Sequence, residues 1–468
     1  MCLVQYQQFS VSLHMISLNS TMIAKRIRLV VPVLLVFCAS ISAQSVSEEL
    51  KSDVNRAAGI CYAIPATVRT AETPPPDGKL PFYINHFGCP APFYLEHSDK
   101  YEKPYSTLAK ANRRGKLTAL GCDVLHRIDL LRNDASNRTN EVTKEGVAQI
   151  REQMRQLISR YPEVFSDNCY IDGRSIVQNH CIQTTSEALV ELARYCNTEN
   201  IGIKTTHKDM NWLNPQDKSL TSSRTDSLAM AGYADIEARN ANDARLIQSL
   251  FSDAEYARDQ VDSTTLSRQI FELAGSIQHT ALSDSISLYD LFTPEEIQSH
   301  WRRKNAWNYI NYGNCPLNGG HQAYLQRAPL WNLLHVSDSI MKLDFPVVHL
   351  RYTNNDVIMS LASLMELDDC GLMTTQLDSL EALGWVDYRI APFCGRIEMI
   401  HYRRDMNDDD PLIKVLLNGH EATLPIKTDC PPYYHWNDVK HYYLRKLYRY
   451  EKARQDANEK NKQKEGKE

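Results

Sequence analysis

The chain has 468 residues, 43% hydrophobic and 23% charged, with 52 Lys and Arg against 57 Asp and Glu for a formal charge of −5. That composition is ordinary for a soluble globular chain, and its mild acidity argues against a general nucleic-acid surface, which would be basic. A chain this long calls for two or more structural units, or one large core carrying an insertion.

The first 43 residues differ from the rest. Lys25, Arg26 and Arg28 precede an apolar run from Leu29 to Phe37 broken only by Pro32, and small residues follow at Ala39, Ser40, Ser42 and Ala43. This order predicts a secretory signal peptide over 1–43, cleaved after Ala43 to leave Gln44 first, with Met22 as an alternative start. A lipoprotein reading needs Cys38 as the lipidated residue, but bulky Phe37 stands where a small residue is wanted. No other stretch reaches the roughly 20 apolar residues of a spanning helix. The processed chain is therefore expected to be exported, periplasmic or extracellular, with no membrane span. It loses three bases and no acids, leaving 49 against 57, or −8. Ten cysteines remain, at 61, 89, 122, 169, 181, 196, 315, 370, 394 and 430. An even count in an exported chain predicts disulfides of unreadable pairing, and spacing that fits no zinc site predicts no metal.

Further along, residues 79–88 (KLPFYINHFG) read as a buried strand ending at a glycine. Val147, Ile150, Met154, Leu157 and Ile158 recur at helical spacing, predicting a helix over 143–160 with Thr143 as its N-cap and Pro162 just beyond its end. A second helix is predicted over 183–196. From about 205 to 310 the chain is polar and helical, rich in Asp, Ser, Arg and Gln, and reads as an inserted helical unit. Strand signals return at 345–352, 396–403 and 412–417. The tail after Tyr450 is charged and nearly free of apolar residues, predicting a frayed helix or disorder. Strand, helices, helical insertion and strands again is the order of an α/β sheet carrying a helical cap.

Eight segments in order, from about residue 79 to 443, resemble the histidine acid phosphatase superfamily in its branch of multiple inositol polyphosphate phosphatases and phytases. They are LTALG at 117–121, EVTKEG at 141–146, RYPEVF at 160–165, RSIVQNHCIQTTSEAL at 174–189, YGNCPLNGG at 312–320, VVHLRYTNND at 347–356, DPLIKVLLNGHEATLP at 410–425 and PPYYHWNDVKHYY at 431–443. The resemblance implies a doubly wound, mostly parallel sheet with a phosphoglycerate-mutase-like core and an inserted helical cap. The implied organisation is 1–43 signal peptide, 44–199 and 326–450 the two parts of the core, 200–325 the cap, and 451–468 the charged tail. It also implies a chemistry without a cofactor: a histidine attacks phosphorus, arginines match the phosphate oxygens, and a carboxylic acid protonates the leaving alcohol.

The residues at those positions depart from that pattern. Laid on the usual Arg-His-Gly-x-Arg signature, Cys89 takes the first arginine, Pro90 the nucleophile, Ala91 the glycine and Phe93 the second arginine. Proline has no side-chain nucleophile and no N–H. His180 stands directly before Cys181, where the pocket arginine belongs. Asn354 replaces the phosphate-touching histidine of the family's His-Ala-Glu or His-Asp motif. Asn355 replaces the acid of the second form, and Asp356 stands in for the acid of the first. Arg174 survives, either as a ligand contact or in a salt bridge, and His86, also a candidate ligand contact, is read as a strand-end histidine rather than a relocated nucleophile. Cys89 lacks the arginine a cysteine-based phosphatase needs, since position 95 is Leu95. The basic run from His300 to Lys304 reads as a solvated helix face. The expectation is a pseudophosphatase whose core–cap cleft holds a small molecule. The alternative is a working phosphomonoesterase for inositol polyphosphates, with a relocated histidine and Asp356 as proton donor.

Overall fold

Leu80–Gly88 forms strand β1, buried at every residue after Leu80. A strand this apolar has to be covered on both faces, and it sits mid-sheet. The computed structural model describes residues 45–65, 72–196, 199–241 and 243–465, with side chains to 460. The expected signal segment lies outside the described residues. Leu50–Glu468 makes one unit.

The sheet continues with β2 (Tyr170–Ser175), β3 (Ile201–Lys204), β4 (Val347–Tyr352), β5 (Arg396–Arg403), β6 (Leu412–Leu417), β7 (His420–Glu421) and β8 (Tyr434–His435). Its order is β3-β2-β4-β1-β5-β6-β7, with β8 also on β6. β3, β2, β4 and β1 run parallel, whereas the pairings of β5 to β8 are antiparallel. The class is α/β, and the sheet is mixed, its parallel strands gathered in one half. The predicted bounds of β5 and β6 coincide with the observed ones. β2 and β3 gave no sequence signal, because β2 carries Asp172, Gly173 and Arg174 in its middle and β3 is four residues long.

Helices cover both faces. On one, α3 (Lys144–Arg160) and α4 (Asn179–Tyr195) pack Ile150, Met154, Leu157, Leu189 and Leu192 against Ile84, Val348, Leu350 and Ile400. On the other, α8 (Arg327–Ile340), α9 (Asn355–Met365) and α10 (Trp436–Glu465) cover Phe87, Ile397, Met399 and Val415. Successive strand residues point to opposite faces, so one strand serves both cores. Thr143 caps α3 as predicted, its Oγ1 accepting from Gly146 N at 3.0 Å. α10 carries the helix through the charged tail to Glu465.

α1 (Asp99–Arg113) and α2 (Ala119–Asp134) follow β1. Periodicity missed α1, which has Pro104 inside it and charges scattered along it. Between β3 and β4 the chain is mostly helical, including α5 (Ser227–Arg239), α6 (Ser263–Ile277) and α7 (Pro294–Tyr312). These helices reach back to α1 and α2: Lys100 Nζ meets Glu272 Oε1 at 2.9 Å, and Thr118 N donates to Leu250 O at 3.0 Å. The expected disulfides are absent: no disulfide is present among the described residues.

Candidate functional site

The loop leaving β1, residues 89–95, is the part of the chain that should carry the chemistry, and it is tied down from several sides. Cys89 N donates to Gly395 O at 2.7 Å, Cys394 N to Pro90 O at 2.9 Å, and Thr143 N to Pro92 O at 2.9 Å. Ala91 N donates to Thr184 Oγ1 at 3.0 Å, Tyr94 N to Glu141 O at 2.9 Å, and Leu95 N to Tyr101 Oη at 3.1 Å. Gly146 allows the first turn of α3 to seat here, since a Cβ on it would lie 2.3 Å from Pro92 O. With two prolines and these committed amides, the loop offers few free N–H groups to cradle an anion.

The fold brings several of the sequence-predicted residues together at the carboxyl ends of β1 and β4. The Phe93 ring stacks on His180, with centroids 4.0 Å apart and planes 4° from parallel. His180 Nε2 lies 3.2 Å from Asn354 Oδ1, and its Nδ1 lies 2.6 Å from Asn140 Oδ1. Burial lowers the pKa of His180. A neutral imidazole donates one of these bonds and accepts the other from a turned amide. Cys89 is fully buried, and its thiol is pushed well up by burial and by the neighbouring Cys394, Cys181 and Asp356. Such a thiol is not a nucleophile. Pro90 is buried beside it.

Asn354, Asn355 and Asp356 open α9 and line a cavity of about 400 Å³, together with Phe93. Asn355 spends its amide on Ala391 O at 2.8 Å and Ile60 O at 3.3 Å. Asp356 Oδ1 accepts from Val357 N at 2.9 Å, and burial raises its carboxyl above the usual range. A carboxyl held up in this way suits proton donation. Two other candidates lie elsewhere. Arg174 is paired with Asp172 at 2.7 Å and Asp209 at 3.0 Å. His86 is fully buried in the sheet, with Nδ1 3.1 Å from Glu398 Oε1. Neither lines the cavity.

The rest of the wall escaped the sequence. Phe271, Glu272 and Ser276 come from α6, Lys304, Asn308 and Tyr312 from α7, and Glu96, His279 and Phe393 from loops. His279 Nε2 donates to Cys61 O, 2.6 Å away, and burial lowers its pKa to about 4. No local pattern joins these residues, so no sequence signal could have grouped them. The basic run at 300–304 is not a solvated face: His300, Trp301 and Arg303 are buried. Trp301 Nε1 donates to Asp387 at 3.0 Å, and Arg303 lies 3.5 Å from Asp243. Only Lys304 of the run reaches the cavity wall.

No family model matches the chain, and no curated protein matches it. Solved structures do. The multiple inositol polyphosphate phosphatase of Bifidobacterium longum, in complex with inositol hexasulfate, superposes with a TM-score of 0.68 at 12% identity, covering 82% of this chain and 97% of that one. The phytase of D. castellii superposes with a TM-score of 0.59 at 15% identity, covering 87% and 89%. At these identities the likeness is one of fold: the chain has the histidine acid phosphatase fold of multiple inositol polyphosphate phosphatases and phytases.

Proposed function

We propose that this is an exported, histidine-phosphatase-like protein that binds a small molecule in a cleft between an α/β core and a helical cap at about 200–325, without hydrolysing phosphate esters. The observation that carries the reading is the wall of the cavity. Among the described residues lining it there is no arginine, and two lysines, Lys100 and Lys304, face three carboxylates, Glu96, Glu272 and Asp356. Lys100 is already paired with Glu272. A phosphoryl group needs convergent cations to hold its charge, and this wall supplies almost none. Phe93, Phe271, Tyr312 and Phe393 instead give it aromatic surface, which suits a neutral, carbohydrate-like or apolar ligand.

One observation favours the second reading, an active phosphomonoesterase: His279, held neutral by burial, shares the cavity wall with Asp356. Phosphate release from inositol hexakisphosphate and an aryl phosphate, from acid to neutral pH, separates the two. The binding reading expects no release above background from folded protein. Turnover that disappears in both His279→Ala and Asp356→Ala would replace it with the enzyme.

A further inference from the structure

On the far side of the sheet's antiparallel half, residues 428–435 (TDCPPYYH) form a turn that returns on itself before α10 begins. Thr428 Oγ1 donates to Tyr433 O at 2.7 Å, and Tyr433 N donates to Cys430 O at 2.8 Å. β8 then pairs His435 with Leu412 of β6, fixing the histidine backbone. The turn therefore holds Asp429, Cys430 and His435 side by side, and one donor atom from each lies within 4.8 Å of the others.

The histidine is already oriented. Its Nδ1 lies 2.6 Å from Asp410 Oδ1, while Nε2 faces Asp429 Oδ1 at 2.9 Å. A metal-bound imidazole characteristically donates its second N–H to a carboxylate, which fixes the tautomer and leaves the other nitrogen for the ion. Cys430 is half-buried, its Sγ lying 3.6 Å from both Thr428 Oγ1 and Tyr433 O and beside the Asp429 carboxylate. Bond lengths of about 2.0–2.3 Å put tetrahedral ligand atoms roughly 3.3–3.7 Å apart, so small rotations of exposed Asp429 and of Cys430 close the set.

We propose that Asp429, Cys430 and His435 form a three-ligand site for a borderline-soft divalent cation of the zinc type, with Asp410 as the positioning carboxylate and water as the fourth ligand. A thiolate, an imidazole and a carboxylate select such an ion over calcium or magnesium, which want oxygen alone. Binding releases the thiol proton of Cys430 and, when His435 is charged, its Nε2 proton. The bound ion pins the turn that feeds α10 and plays no part in the cavity. The expectation of no metal rested on the lack of cysteine pairs and of standard finger spacing. Here one cysteine and one histidine are joined by an aspartate adjacent in sequence.

The test uses the whole processed chain, reduced and stripped of metal, titrated with Co²⁺ and then Zn²⁺. One equivalent should bind, with a thiolate-to-cobalt charge-transfer band in the near ultraviolet that Zn²⁺ displaces. Cys430→Ser should abolish the band, and Cys430→Ser and Asp429→Asn should each weaken binding at least tenfold. Asp410→Asn should keep the band and weaken binding roughly tenfold. Far-ultraviolet circular dichroism of the metal-free variants serves as the folding control. Absence of stoichiometric binding, a band that survives Cys430→Ser, or Cys430 found in a disulfide by peptide mass mapping before reduction would each overturn the proposal.

Discussion

If the charge of the cavity wall is what disfavours polyphosphates, removing one of its carboxylates has a calculable effect. Where Asp356 is ionised, Asp356→Asn takes one negative charge from the wall, and the amide oxygen can keep the contact with Val357 N. A cavity of about 400 Å³ is equivalent to a sphere with a radius of about 5 Å. The sulfates of an inositol hexasulfate placed in it would then sit roughly 5–8 Å from that carboxylate. With a water-like dielectric and a screening length of about 8 Å at physiological salt, each sulfate is repelled by about 0.3 kcal/mol. Over six sulfates this is about 2 kcal/mol, or roughly thirtyfold in affinity. Isothermal titration calorimetry at a pH above the raised pKa of Asp356 should therefore show Asp356→Asn binding inositol hexasulfate some thirtyfold more tightly than the parent. The gain should shrink as pH falls through the raised pKa of Asp356, because the parent then loses the same charge by protonation. A change of less than threefold at every pH from 6 to 9, or a gain independent of pH, refutes the electrostatic account.

Two further outcomes are expected. Burial would raise Glu398, but Arg396 at 3.1 Å and His86 pull its carboxyl down to about 2, below its ordinary value of 4.5. The stabilisation, about 3 kcal/mol, is fully present above pH 4.5 and is lost as pH falls toward 2. Glu398→Gln should lower stability at pH 6 and flatten that acid limb in denaturant titrations; parallel curves for the two proteins would contradict this. Phe93→Ala removes the ring stacked on His180, so water should reach the imidazole and its pKa should rise toward 6.5. An NMR titration in which His180 behaves alike in both proteins would show that Phe93 does not shield it.

Much of the fold was legible in the chain because its signals are local. The 3.6-residue recurrence and the Thr143 cap gave α3, and runs of apolar β-formers gave β1, β5 and β6 at or within a residue of their ends. β2 and β3 stayed hidden because tertiary pairing, β2 with β4 and β3 with β2, overrides a weak local preference. The run at 300–304 misled for the opposite reason. Its charges look solvated until Asp243 and Glu381, far away in sequence, are folded onto them.

The same division holds at the site. The sequence by itself determined which residue types stand at Cys89, Pro90, Phe93, His180 and Asn354, because each occupies a marked position in a linear motif. Only the tertiary structure decided that Phe93, His180 and Asn354 touch, that Arg174 and His86 are committed elsewhere, and that α6 and α7 contribute to the cavity wall. The physical reason is that a cavity is made by side chains converging from helices and loops far apart in sequence, and a linear pattern carries no record of where those elements pack.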